Sequence, residues 1–239
     1  MYLPDSLHGQ LYLLAYDRDR HRFALDGLWW FGYALRAAML TDLYLSGSIA
    51  DVKGTVCPVR GVRQVDPALR AVASSVDAAE PKTWAWLTAA DAEQAPALVR
   101  GQLQGDGWVR PRRRHGFGIP ARRRLDLGDE HLVEALAEAV ARSVRHAIGG
   151  RSTDPRLLNL GLLAVLAELP TVLSDEYRVR RSVVLSELIA TAAPPILGLQ
   201  QAIESTVDVT RSKTREGVVW ASVASIACGG CGGCGGCGG

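Results

Sequence analysis

Lysine is nearly missing from this sequence. Of 27 basic residues only Lys53, Lys82 and Lys213 are lysine, and the rest are arginine. With abundant Ala, Leu and Val, that bias matches a GC-rich coding sequence, so an arginine run weighs less here than in a lysine-rich chain. Long apolar runs are missing too. No stretch reaches the ~18 uninterrupted apolar residues that a spanning helix needs. The longest candidate, Leu157 to Leu169 (LLNLGLLAVLAEL), carries Asn159 and Glu168 and reads as a buried core helix. The start, MYLPDSLHGQLYLLAYDRDR, lacks the basic n-region and small-residue cleavage site of a secretory signal. The expectation is a cytoplasmic protein whose membrane contact, if it has one, is peripheral.

Cysteine is confined to Cys57 and a terminal repeat, CGGCGGCGGCGG, which holds Cys228, Cys231, Cys234 and Cys237. With no export signal, a disulfide framework is not expected. The spacing makes these four cysteines weak candidates for holding zinc or an iron–sulfur cluster. Every spacer is Gly-Gly, and nothing alongside would hold ligand geometry. The tail over 227–239 therefore reads as flexible low-complexity chain, and no cofactor or metal is expected.

Catalytic signatures are also lacking. There is no GxSxG elbow, no HExxH, no GxxxxGK[ST], and no GxGxxG following a strand. The five histidines, at positions 8, 21, 115, 131 and 146, are scattered. His131 and Glu134 share a helical turn without a third partner, and Asp175-Glu176 look like first-turn helix charges. An enzyme is not expected.

What is present suits a globular protein. Apolar residues make up 48% and charged residues 22% of 239 residues, enough for a sizeable core. Leu28, Phe31, Leu35, Met39 and Leu43 recur at helical spacing and predict an amphipathic helix over 26–46, with Asp26 as N-cap and Gly47 as the stop. Trp29, Tyr33, Arg36 and Leu40 form a second stripe beside the first, which puts Trp29 and Arg36 on nearly one side. The alternation in SIADVKGTVCPV about Lys53-Gly54 predicts a short hairpin. Further helices are predicted over 67–75, 81–88, 91–104, 130–148 (capped by Asp129), from Asp154-Pro155, and over 175–191 up to Pro194-Pro195. A last apolar element runs over 217–227. The fold class is mainly α: a single-domain helical bundle over 1–226 with one or two peripheral β-hairpins.

The most unusual stretch is VRPRRRHGFGIPARRRL, residues 109–125. It holds seven arginines and no acid, on a chain whose formal net charge is only +2. The arginines are Arg110, Arg112, Arg113, Arg114, Arg122, Arg123 and Arg124, and Phe117 and Ile119 lie between them. Two extended arms about Gly-x-Gly predict a β-hairpin over 108–127. The plainest reading is a solvated basic surface. A second is the wing of a winged helix–turn–helix, with arginines on nucleic-acid phosphates. Its recognition helix would be AEQAPALVRGQLQ, which contains Pro96 and a single arginine, Arg100, and few groups to read bases. A third is a dock on anionic lipid. Each basic residue near such a surface is worth ~1 kcal/mol, and burying Phe117 and Ile119 adds roughly 1.5–3 kcal/mol apiece. Only the lipid reading uses both the charge and the greasy tip.

Six segments in order resemble the Golgi phosphoprotein 3 family: LHGQLYLLAYDRDRHRF, ALRAAMLTDLYLSGSI, VDPALRAVASSV, QGDGWVRPRRR, DPRLLNLGLLAVL and VVWASVASI. They cover about residues 7 to 226 and exclude the glycine–cysteine tail. The resemblance implies a mainly helical bundle with peripheral hairpins that binds phosphatidylinositol 4-phosphate as a peripheral membrane protein. It implies that Phe117 to Pro120 is the membrane-inserting tip. The family's helix arginine corresponds to Arg36. Its tryptophan position falls on Gly27, with Trp29 and Trp30 close by, and its arginine pair falls on Glu93 and Pro96. Arg100 and the hairpin arginines are the groups that would take over from that pair. The expected partner is anionic membrane lipid, with nucleic acid as the alternative and a homo-oligomer left open.

Overall fold

A computed structural model describes residues 2–23, 25, 30–59, 61–62, 64–76, 80–111, 125–169, 171–172 and 181–205. The chain up to Ala202 forms one compact unit, and a second begins at Ile203. Helices dominate the first unit, joined by three small antiparallel sheets.

At its centre is α2 (Phe31–Leu45), against which α1 (Leu7–Leu14), α3 (Pro67–Ser74), α4 (Trp84–Ala89), α5 (Ala95–Gly105) and α7 (Pro155–Leu166) all pack. This differs from the two-faced helix that the spacing predicts. Ala34 through Leu43 are buried without interruption, Arg36, Thr41 and Asp42 included. Periodicity marks the most apolar stripe, but a helix surrounded on every side buries its polar stripe too. The helix also starts later than predicted. Trp30 occupies the N-cap position with no side-chain bond, and Asp26 lies outside the described residues. Gly47 does close it, at a φ of 70°.

The outer helices follow their capping signals. The Asp129 carboxylate accepts the Leu132 N–H and opens α6 (Glu130–Ile148), which buries Val133, Leu136, Val140 and Val144. The Asp154 carboxylate accepts the Arg156 N–H, and Pro155 follows it into α7. The two helices cross closely at Gly161, where a Cβ would lie 2.4 Å from Val144 Cγ2. Asn159, which sets α7 apart from a membrane segment, is 4% exposed. Its amide donates to the Pro155 carbonyl and accepts the Ala193 N–H, at 2.7 and 3.0 Å. Among the described residues no helix is long and apolar enough to cross a membrane.

The hairpin about Lys53-Gly54 forms as β3 (Ile49–Val52) and β4 (Thr55–Pro58). Lys53 and Gly54 both have positive φ, 54° and 82°, as a two-residue turn of this hand requires. Beyond it the predicted boundaries shift. The helix predicted over 81–88 begins as a strand, because Lys82 and Thr83 pair with Val56 and Thr55 as β5. Thr83 then caps α4 by accepting the Trp86 N–H. The helix predicted over 91–104 starts only at Ala95, since Asp91 has a φ of 53° and cannot continue a right-handed helix. Of the predicted 175–191 helix, Arg181–Leu188 is helical and Ile189–Thr191 a 3₁₀ turn. The chain is helical again from 194, so Pro194-Pro195 open a helix. The element predicted over 217–227 and the cysteine tail lie outside the described residues.

Candidate functional site

Arg36 comes into the interior because α2 does. It is 6% exposed, and its Nη2 donates to the Leu87 carbonyl of α4 at 3.3 Å. Among the described residues its Nε has no partner. Burial pushes the guanidinium below its usual range, and the Asp91 carboxylate pulls it partly back. Asp91 belongs to the turn ahead of α5, and this turn lies hard against α2. A Cβ on Gly32, one turn before Arg36, would sit 2.1 Å from the Ala92 carbonyl oxygen and 3.6 Å from Pro96 Cδ. Only glycine tolerates that approach.

Residues 91–96 and the helix carrying Arg36 are therefore neighbours, although Asp91 follows Arg36 by more than fifty residues in sequence. The chemistry brought to Arg36 is acidic rather than basic: Asp91 is the charge that acts on it, and Glu93 is exposed in the same turn. Arg100, further along α5, is exposed. Its charge favours the phenolate of Tyr12, whose hydroxyl burial pushes up to about 12. Trp29 lies outside the described residues, whereas Trp30 stacks edge-on against Tyr33 with ring centroids 5.9 Å apart.

The arginine-rich segment is described at its base. There β6 (Val109–Pro111) pairs antiparallel with β7 (Leu125–Leu127), setting Arg110 opposite Asp126 and Pro111 opposite Leu125. Val109 is buried, and Arg110 and Pro111 are exposed. Arg112, Arg113, Arg114, Phe117, Ile119, Arg122, Arg123 and Arg124 lie outside the described residues. Two hollows of about 310 and 360 Å³ flank α6, and neither is lined by Arg36, Arg100 or Arg110.

This order of elements is now decided by comparison. The family model for Golgi phosphoprotein 3 (GPP34) matches residues 7–206. The chain belongs to that family. A search of curated proteins finds no match. Within this Golgi phosphoprotein 3 family member, the six resembling segments contribute α1, α2, α3, β6 and α7, with VVWASVASI beyond the matched range.

One buried cluster escaped the reading of scattered histidines. His8 is fully buried, with Nδ1 3.6 Å from an Asp42 carboxylate oxygen and Nε2 3.6 Å from one of Asp66. Asp42 also accepts the Leu7 N–H at 2.7 Å and pairs with Arg156 at 2.9 Å. The Gln102 amide donates to Asp66 at 2.8 Å, and Asp66 caps α3. The cluster ties α1, α2, α3, α5 and α7 together through charge and hydrogen bonds, and its bonds to the buried His8 and Asp42 are the costly ones to break. The signal available in sequence was an Asp and a His set inside otherwise apolar helical runs, at Asp42 and His8.

Proposed function

We propose that this protein attaches reversibly to anionic lipid surfaces through the 108–127 hairpin, with Phe117 and Ile119 entering the bilayer and the arginines lying on its headgroups. The observation that carries the reading is the β6–β7 base, which starts two arms in antiparallel register on either side of the arginine-rich segment. Membership of the Golgi phosphoprotein 3 family supports it. A hairpin brings both arginine clusters to one end with the apolar residues between them. Charge and apolar burial then add, giving attachment that salt weakens.

Selectivity for a 4-phosphate would rest on Arg36, which is engaged with Leu87 and neighboured by Asp91. The reading is therefore a dock for anionic lipid at large. The test is co-sedimentation with three vesicle sets: neutral, carrying a simple anionic lipid, and of matched charge with phosphatidylinositol 4-phosphate. Comparable binding to both charged sets and none to the neutral set is expected. Absence of binding to either charged set overturns the proposal, and DNA would then be tried on the same arginines.

A further inference from the structure

A hollow lies towards the end of α6 opposite the β6–β7 base. Arg142 and His146, four residues apart on α6, line the 360 Å³ hollow together with Ser143 and the Ser152-Thr153-Asp154 approach to α7. Counting from Glu130 at 1.5 Å per residue, they lie about 18–24 Å along α6 from the end adjoining β7. Three features of this hollow point to a ligand. First, among the described residues neither the Arg142 nor the His146 side chain has an ion-pair or hydrogen-bond partner. Second, Ser143 is 6% exposed, lines the hollow, and leaves its hydroxyl without a partner. A buried hydroxyl in that state is uncommon and asks for one. Third, the wall pairs donors with an acceptor, because the Asp154 carboxylate spends one oxygen on the Arg156 N–H.

We propose that this hollow binds a phosphorylated polyol. The phosphate lies on Arg142 and His146, and the polyol hydroxyls lie on Ser143, Ser152, Thr153 and the free oxygen of Asp154. A bare anion uses only half of these groups and meets the Asp154 charge. A polyol turns that carboxylate into a hydrogen-bond acceptor. The volume holds a few-carbon polyol phosphate with room for water. Such a ligand is found free or as a lipid headgroup.

Isothermal titration of the intact protein with sn-glycerol 3-phosphate, inorganic phosphate and glycerol tests the assignment. The phosphate ester should bind saturably at one site, more tightly than inorganic phosphate, with glycerol silent. Arg142→Gln should weaken the ester tenfold or more, the loss expected for a charge-assisted hydrogen bond, and Ser143→Ala about threefold. Arg142 is exposed, so its substitution should leave the melting temperature unchanged. Absence of saturable binding, or equal affinity in wild type and Arg142→Gln, overturns the proposal. The source is separated with phosphatidylcholine vesicles carrying phosphatidylinositol 4-phosphate. A fall in vesicle binding by Arg142→Gln identifies a headgroup, whereas unchanged vesicle binding with lost ester binding identifies a free ester. Failure of wild-type protein to bind any vesicle while the soluble ester still binds would tell against the hairpin dock and leave this site standing.

Discussion

Arg36 and Arg110 are the same side chain in opposite settings. Arg36 is enclosed by α2 and α4 with one nitrogen unpartnered, while Arg110 stands in solvent on an edge of a two-stranded ribbon. A buried charge interacts strongly with the few groups that touch it and is hardly screened, so its effect is felt in stability. An exposed charge interacts weakly with its own protein and freely with whatever approaches, and salt screens it within a Debye length. Arg36 is thus a structural charge beside α4, and Arg110 a charge left open to whatever approaches. The division can be broken experimentally at several points.

The largest effect is expected inside. Asp42→Ala removes the acceptor of the Leu7 N–H, the partner of Arg156 and one of the two carboxylates beside His8. Urea denaturation should show a loss of about 3–5 kcal/mol, typical of stripping one member from a buried charged cluster. Asp42→Asn keeps an acceptor for Leu7 and should lose about 1–3 kcal/mol. If both variants unfold at the wild-type midpoint, the cluster is not what binds the helices.

Outside, the double variant Phe117→Asp, Ile119→Asp should lower affinity for anionic vesicles about a hundredfold, the loss of two partly buried apolar side chains. Its unfolding free energy in urea should stay within about 0.5 kcal/mol of wild type. A hairpin acting as a DNA wing would lose only part of its affinity through the same change. Moderate salt should weaken vesicle binding and leave the unfolding curve almost in place. A salt-independent attachment would place the burden on the apolar tip alone.

How far these two regions could be read from sequence differs for a physical reason. The paired base of the predicted hairpin was legible because its signal is local, two extended apolar-edged arms at Val109 and Leu125-Asp126-Leu127. The caps at Asp129 and Asp154 were legible on the same ground, each satisfying an N–H two or three residues away. Arg36 was placed on the correct helix, but its burial depends on Leu87 and Asp91, which arrive from elsewhere in the chain. The β5 strand was lost for the same reason, since Lys82 and Thr83 become a strand only by pairing with β4. His8 is the extreme case: its apolar helix hints at burial, but the two carboxylates beside it, Asp42 and Asp66, arrive from more than thirty residues away.

Tyr12 gives a smaller and pH-dependent effect on the buried side. Its ring packs against those of Phe23 and Phe31, its hydroxyl is buried without a partner among the described residues, and burial pushes it up to about 12, with Arg100 opposing. The folded state therefore favours the protonated phenol. The resulting stability is intact below the ordinary tyrosine value near 10 and is lost as pH rises towards 12. Wild type should lose up to about 2 kcal/mol more than Tyr12→Phe across that interval. At neutral pH the Phe variant should be as stable as wild type or slightly more, because it removes an unpaired buried hydroxyl. Parallel pH curves for the two proteins would show that the phenol reaches water.

The smallest change is the one most telling for the comparison. Arg36→Met keeps much of the side chain's volume while removing a charge whose Nε is unsatisfied among the described residues and whose hydrogen bond to Leu87 is long at 3.3 Å. A desolvated charge this poorly compensated contributes little net stability, so the methionine variant should fall within about 1 kcal/mol of wild type. Arg36→Ala should cost about 2–3 kcal/mol through the cavity alone. If both variants are severely destabilised to the same degree, the charge itself holds α4 and the 91–96 turn onto α2. If Arg36→Met is stable and also loses vesicle binding, the guanidinium reaches lipid by displacing Asp91 and Leu87, and the line between structural and contact charge runs through this residue instead of around it.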